Sequence, residues 1–276
     1  MTDMRLGIVL PRAEPGGQPL TTASLADAAR RIEEVGFDSA WVFDSLGRGR
    51  LLPDPLTALA VAGTVTHRIE LGTGVLQVPL RRPTELAHRV LTTHLVCGGR
   101  LRLGVGAGST AADFAAVGVD FASRFRQLDE SLRIMRQLWA GARVGDAELG
   151  APWPVAAGGP PILIGSWAGS RWIERAAKEF DGWVASGARS SWRLIAEGIA
   201  RFRALGGKRA VLTNVNVRLA EQPSPDGPDD PFDLIGPRSV AVDRLRHVRE
   251  LGFDDVVLVA SRHDAAHLRE LRELGA

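Results

Sequence analysis

Short apolar runs alternate along the chain with longer stretches in which apolar residues recur every three or four positions, the pattern of a parallel sheet with helices packed on its faces. Arg5 to Leu10 is the first predicted strand, closed by Pro11 and a Pro/Gly loop reaching Pro19. Thr21 to Val35 follows as a helix, because Leu25, Ala28, Ala29, Ile32 and Val35 share one face and Gly36 supplies the stop. A second strand, Ala40 to Phe43, runs into Asp44, and the helix from Asp54 to Thr66 opens on an Asp cap with Pro55 in its first turn. Ile69 to Leu76 is the third strand, interrupted by glycine, then come a helix over Pro83 to Cys97 and a fourth strand over Leu101 to Val105.

The second half repeats the unit. A helix from Phe121 to Trp139 turns Leu128, Leu132, Met135 and Leu138 inward, and a Gly/Pro-rich connection leads to a strand at Pro161 to Gly165. Next are a helix at Gly169 to Glu179, a strand at Gly182 to Ala185, a helix at Trp192 to Leu205 and a strand at Ala210 to Leu219. Glu221 to Asp233 is proline- and acid-rich without periodicity and reads as a mobile loop. A helix (Pro237 to Leu251), a strand (Asp255 to Val259) and a helix (His263 to Leu274) finish the chain. Eight strands with eight main helices predict an α/β fold of the (β/α)8 TIM barrel type, one domain over residues 1–276, with its ligand site at the C-terminal strand ends.

Composition narrows the function. The 34 basic and 32 acidic residues leave a formal charge of +2, and with no basic run there is no electrostatic case for nucleic acid or an acidic membrane surface. No apolar stretch approaches the ~20 residues of a membrane span, and the first residues carry no secretion signal, so a cytoplasmic location is expected. The single Cys97 excludes an internal disulfide and a thiolate metal cluster, and the absence of Tyr removes phenolic acids from the possible catalysts.

The most distinctive stretch is Arg100 to Ser109, RLRLGVGAGS, which ends a buried strand in the alternate glycines Gly104, Gly106 and Gly108. Without Cβ atoms, a flat ring or a phosphate could lie against the main chain there. The spacing is G-x-G-x-G, not the G-x-G-x-x-G of a dinucleotide fingerprint. Around it the predicted strand ends bring together Asp44 and Ser45, Gly74 and Val75, Ala107 to Thr110, Ser166 to Gly169, Ser186 and Gly187, and Asn214 or Asn216. Charged acid/base groups are scarce in this set, which points to chemistry carried by an organic cofactor that the protein positions. Gly165 to Ser170 is predicted to run straight from strand to helix and so to offer N–H groups to a phosphate, with Ser186 to Arg189 completing the cradle; an ordinary strand-to-helix turn would look the same.

Several ordered blocks resemble the bacterial luciferase-like monooxygenase superfamily. They are Gly72-Thr-Gly-Val75, Pro79-x-x-Arg82-Pro83 with Leu86-Ala87, the glycine run from Gly98 to Gly108, Val117-Gly-Val-x-Phe121 with Arg124, Leu128-Asp-Glu130 and Leu138-Trp139, Pro161 to Gly165, and Phe180-Asp-Gly-Trp183. The resemblance implies a barrel holding coenzyme F420 or, alternatively, FMN, a small-molecule substrate and a homodimer. It implies a non-proline cis peptide at Gly74-Val75 behind the ring. Asp44 would approach the ring edge, Gly74 and Val75 its face, and Ala107, Gly108 and Ser109 its hydroxylated chain, with Thr73 and Gly106 as further cofactor-binding residues. Gly165, Ser166, Trp167, Ala168 and Gly169 with Ser186 and Gly187 would take the phosphate. The Arg124 to Trp139 block and the Ser186-Gly187 turn resemble the deazaflavin enzymes more than luciferase itself, so F420-dependent hydride transfer leads and an FMN(H2)-dependent monooxygenase is the alternative.

The chain departs from the sugar-phosphate dehydrogenases of this superfamily, which carry a His after the strand-two Asp and a Glu after the strand-four glycines; Ser45 and Ser109 stand there instead. Alcohol oxidation needs a base for the hydroxyl proton, so the residues assigned to catalysis are Asp44, Ser45 and Ser109 and that reaction is disfavoured. A non-catalytic flavin-binding barrel and a non-redox barrel enzyme acting on a phosphorylated substrate are the remaining alternatives. His263 and His267, four apart, have no third ligand in view and are placed on an outer helix; no metal is expected. Arg81 and Arg82 could meet an acidic cofactor tail or cap the rim, Trp167 could wall the pocket, and apolar faces near Leu59 and Val90 could meet a twin subunit or cover their own barrel.

Overall fold

The computed structural model describes residues 4–46, 48–49, 51–150, 153–167 and 169–275. Eight parallel strands close on themselves: β1 (Arg5–Val9), β2 (Ser39–Val42), β3 (Glu70–Thr73), β5 (Leu101–Gly106), β6 (Ile162–Gly165), β7 (Gly182–Ser186), β8 (Ala210–Leu219) and β10 (Asp255–Val259). Closure comes from β10, which pairs with β8 on one side and β1 on the other. Two short strands lie off the ring, β4 (Leu76–Gln77) beside β5 and β9 (Leu234–Gly236) beside the outer half of β8. The connecting helices are α1 (Ser24–Val35), α2 (Pro55–Val65), α3 (Pro83–Val96), α4 (Ala111–Ala115), α5 (Arg124–Trp139), α6 (Trp172–Glu179), α7 (Trp192–Ala204), α8 (Arg238–Leu251) and α9 (Ala265–Arg272).

The barrel interior is layered. At the N-terminal strand ends, Arg5, Glu70, Arg102, Arg209 and Asp255 interlock, with Arg209 bridging Glu70 at 2.6 Å and Asp255 at 2.9 Å. Above this ionic layer, Val9, Trp41, Leu163, Val184, Val211 and Val257 fill the centre. Trp41 is the largest of them, is fully buried and donates its indole N–H to the Ser39 hydroxyl. The lower barrel is therefore plugged, and ligand access is left to the opposite end. A larger apolar shell, including Leu59 and Val90 at 0% exposure, packs between sheet and helices; those two residues cover their own barrel and offer nothing to a twin subunit.

The predicted elements recur with shifted ends and three additions. The third strand is split in two by the Gly74–Val75 peptide, which is cis, and the chain re-pairs as β4. The short α4 precedes α5 where the sequence offers only a weak apolar signal. The acid-rich segment is held at its end: Ser224 and Asp233 meet the buried Arg244 guanidinium, and β9 follows directly. Helix α6 starts at Trp172 rather than Gly169, because Ser170 forms a turn and its hydroxyl accepts the Trp172 N–H. His263 is not on the outer face of the last helix. It precedes α9, and its Nε2 meets the Val9 carbonyl at 2.7 Å.

Burial holds the His263 and His94 imidazoles below the ordinary histidine pKa, since the Val9 carbonyl does not offset it for His263 and the Arg102 charge adds to it for His94. Their native values lie below the unfolded value of about 6.5, so the unfolded chain gains protons first as pH falls; their contribution is complete above that pH and declines below it. Asp255, which burial pushes up to about 7, acts in the opposite direction over the same range, so the variant difference carries the test: between about pH 7.5 and 5.5 the urea midpoint of His263→Gln should fall less, or rise more, than that of the wild type; an unchanged slope would remove His263 from this linkage. Burial also pushes the Cys97 thiol up to about 11, and its Sγ lies 3.5 Å from the Leu59 carbonyl. A thiol reagent at neutral pH should label the native chain slowly and the denatured chain to one equivalent, and fast native labelling would contradict that burial.

Candidate active site

A cavity of about 300 Å³ opens at the C-terminal strand ends. Its floor is Val75, and three glycines exist to let it sit there. A Cβ on Gly106 or Gly165 would stand 2.8 or 2.7 Å from a Val75 methyl, and one on Gly104 would collide with the Thr73 carbonyl oxygen. The glycine run thus serves contacts between neighbouring strands before any ligand. The expectation that a ring lies directly on the Gly104 main chain is corrected accordingly: the Thr73 carbonyl fills that space, whereas Gly106 borders the cavity beside Val75. Gly108, at φ +81°, is excluded from bearing a side chain by its backbone and by Phe114 and Gln77.

One wall comes from the ends of β6 and β7, with Ser166, Trp167, Ser170, Ser186 and Arg189. The hydroxyls of Ser166 and Ser186 are buried and have no hydrogen-bond partner. Diametrically across the ring of strands, β1 and β2 contribute Arg12, Phe43, Ser45, Arg48 and Leu52. From β8 come Thr213, whose hydroxyl donates to the Ala185 carbonyl, and Asn214. Asn214 has φ +54° where the register against β10 slips, and such a bulge re-aims its side chain toward the cavity.

Beneath the β2 wall runs a polar network. Asp44 accepts from both Arg81 Nη atoms at 2.5 and 3.0 Å and from the Gln77 N–H at 2.8 Å. Its side chain is 3% exposed, so both oxygens are committed and proton abstraction by Asp44 would require breaking the pair. Arg81 is therefore a partner of Asp44, not a cationic cap for a cofactor tail. Gln77 Nε2 donates to the Asp44 carbonyl and to Asp113, which in turn receives Arg48 Nε and Nη2 and the Leu46 N–H. Burial raises the Asp113 carboxyl, but the hydrogen bonds of Arg48 and Gln77 and the Arg48 charge outweigh it and hold the group below the ordinary carboxylate range.

Of the residues expected from sequence, Asp44, Ser45, Gly74, Val75, Gly106, Ala107, Gly108, Ser109, Gly165, Ser166, Trp167 and Ser186 border this one cavity. Thr73, Gly169 and Gly187 do not line it. Thr73 is fully buried with its hydroxyl on the Gly104 carbonyl, Gly169 lies in the turn before α6, and Gly187 is packed beneath Phe232. Ala168 lies outside the described residues. Sequence inspection missed Gln77, Arg12, Arg48 and Phe125; the one available signal was Gln77, a lone amide within the apolar run from Val75 to Leu80.

A planar ring with a phosphate-bearing tail fits this cavity. Val75 gives the floor an apolar surface, and the two unpartnered serine hydroxyls line the same wall as the Arg189 guanidinium. A family model described as luciferase-like monooxygenase matches residues 4–220. The chain is 34% identical over 161 residues to an F420-dependent glucose-6-phosphate dehydrogenase of Amycolatopsis mediterranei, covering 50% of this chain and 48% of that relative. It is 36% identical over 117 residues to a 4-hydroxyprotoasukamycin monooxygenase of Streptomyces nodosus subsp. asukaensis, covering 42% and 31%. The chain thus spans about half or less of the length of these curated relatives. The structure of monooxygenase RslO1 from Streptomyces bottropensis superposes with a TM-score of 0.78 at 19% identity over 98% of this chain and 97% of that one. Because the family match runs from β1 through β8, seven of the eight barrel strands, the chain belongs to the luciferase-like monooxygenase family.

Proposed function

We propose that the chain is an oxidoreductase that transfers hydride to or from a small organic substrate with coenzyme F420 as its carrier. The observation that carries this reading is the pair of unpartnered hydroxyls, Ser166 and Ser186, at one end of an apolar floor built by Val75. The relative named as an F420-dependent dehydrogenase supports the deazaflavin, and the relative named as a monooxygenase keeps FMN as the second reading. The cofactor supplies the hydride; the chain orients it and shields it. Ser166, Ser186 and Arg189 would hold the phosphate, Val75 would back the ring and exclude water beneath it, and half-exposed Trp167 would cover the tail. The Asp44–Arg81 pair fixes the turn after β4 and acts by positioning.

Ser45 and Ser109 both line the cavity and could relay a proton, although neither is strong enough to serve alone as the base for alcohol oxidation. A reduction with the proton supplied through such a hydroxyl or solvent is the direction that suits this site. No described helix is long and apolar enough to cross a membrane. We take the working form as a homodimer in the cytoplasm; Val96, Trp153 and Val155 are among the exposed apolar side chains that a second subunit would cover.

Titration of the purified chain with F420 and with FMN, followed by quenching of tryptophan fluorescence, should show F420 binding at least about tenfold more tightly. Tighter FMN binding would favour the monooxygenase reading, and binding of neither would end the redox assignment. Ser166→Ala and Ser186→Ala should each weaken F420 by about tenfold or more, as loss of a hydrogen bond to a charged group does, with thermal stability nearly unchanged. Unaltered affinity in both would remove the phosphate from this wall.

A further inference from the structure

Arg48 is held in an unusual way for a residue at the mouth of a cavity. Its Nε and Nη2 form a fork onto Asp113, at 3.0 and 2.6 Å, and Asp113 has no exposed surface. Asp113, in α4, is itself fixed by Gln77 Nε2 of β4 at 2.9 Å, so a helix and a strand together hold the carboxylate that locks the guanidinium plane. Among the described residues, Nη1 of Arg48 donates to nothing, while Arg48 lines the cavity and its side chain keeps 32% of its surface exposed. A guanidinium with two donors anchored and a third left over is a preorganised receptor for an anionic oxygen.

Its position says which molecule supplies that oxygen. The unpartnered serines lie at the ends of β6 and β7, and in the closed ring of eight strands β1 and β2 stand opposite them. A cofactor phosphate at the serines therefore leaves the Arg48 side to the substrate. Apolar side chains share this wall: Phe43 and Leu52, from the segment that follows β2, border the cavity with Arg48. Arg12, stacked 5.8 Å from the Phe43 ring, adds a second positive charge there.

We infer that the substrate is an amphipathic acid, an aromatic or alkyl body carrying a carboxylate, and that Arg48 binds the carboxylate while Asp113 positions Arg48. This rests on the cofactor reading above for the side of the cavity on which substrate lies. The hydride of the reduced cofactor would then add to one carbon of an activated C=C or C=O bond in that body, the other end of the bond would take a proton from solvent or through the Ser45 or Ser109 hydroxyl, the cofactor would be left oxidised, and the carboxylate would set the orientation without reacting.

The test uses two non-reducible probes, 3-phenylpropionate and its neutral amide, 3-phenylpropanamide, titrated into the F420-loaded protein with cofactor absorbance as the signal. The same titrations on the cofactor-free chain use tryptophan fluorescence, so that a failure of F420 to bind is seen separately from a failure of acid recognition. The acid should bind about tenfold more tightly than the amide, as expected for a hydrogen bond between two charged groups at a partly exposed site. Arg48→Gln should abolish the preference, Arg48→Lys should keep part of it, and F420 affinity should change by less than about threefold in both. Asp113→Asn should weaken acid binding in the wild-type background and have no further effect beside Arg48→Gln, which a general loss of stability would not produce. Equal binding of acid and amide by the wild type, or a preference that survives Arg48→Gln, overturns the inference. Loss of F420 affinity in Arg48→Gln with the acid preference intact overturns it too and assigns the guanidinium to the cofactor.

Discussion

The upper barrel depends on how closely β3 and its continuation approach β5 and β6. The Thr73 carbonyl and the Val75 side chain occupy the space where Cβ atoms of residues 104, 106 and 165 would be, so this side of the barrel closes only with glycine there. Substituting any of the three would push a strand outward or displace Val75, and the cavity floor would go with it. The cis peptide at Gly74–Val75 lies at the centre of this contact. One steric constraint therefore links strand pairing, the shape of the floor and the access of a planar ligand.

A second constraint is electrostatic. The lower barrel concentrates charge in one interlocked layer, whereas the upper rim spreads it along a chain from Arg81 through Asp44, Gln77 and Asp113 to Arg48. Each buried carboxylate there is paired, as the cost of leaving one unpaired demands. The result is a rim whose loops after β2, β4 and β5 are bound to one another by side chains, leaving hydroxyls, a guanidinium and apolar surface toward the cavity. The scarcity of acid/base groups in the strand-end residues is partly an effect of this pairing: Asp44 and Asp113 are present but committed.

The order of strands, the helices between them and the group of loops that converge were legible because each depends on local periodicity and on glycine and proline punctuation. The family blocks added the Gly74–Val75 peptide. Twelve of the sixteen residues expected around the ligand border one cavity, and one of the other four, Ala168, lies outside the described residues. The misses have identifiable causes. Thr73 points to the Gly104 carbonyl because a strand residue adjacent to the floor faces the neighbouring strand, and Gly187 is fixed by Phe232, some 45 positions on. Helix α6 begins late because a serine side chain takes over the turn, a choice that depends on a single hydrogen bond.

By itself the sequence determined the barrel and the identity of its small-residue rim, since alternating periods and missing Cβ atoms are properties of the chain at short range. Only the tertiary structure decided what those glycines accommodate, which carboxylates are already paired, and which guanidinium keeps a donor free. These are contacts between residues 30 to 140 positions apart, such as Gln77 with Asp113 or Arg209 with Glu70, and their partners are chosen by the closure of the ring rather than by any local preference.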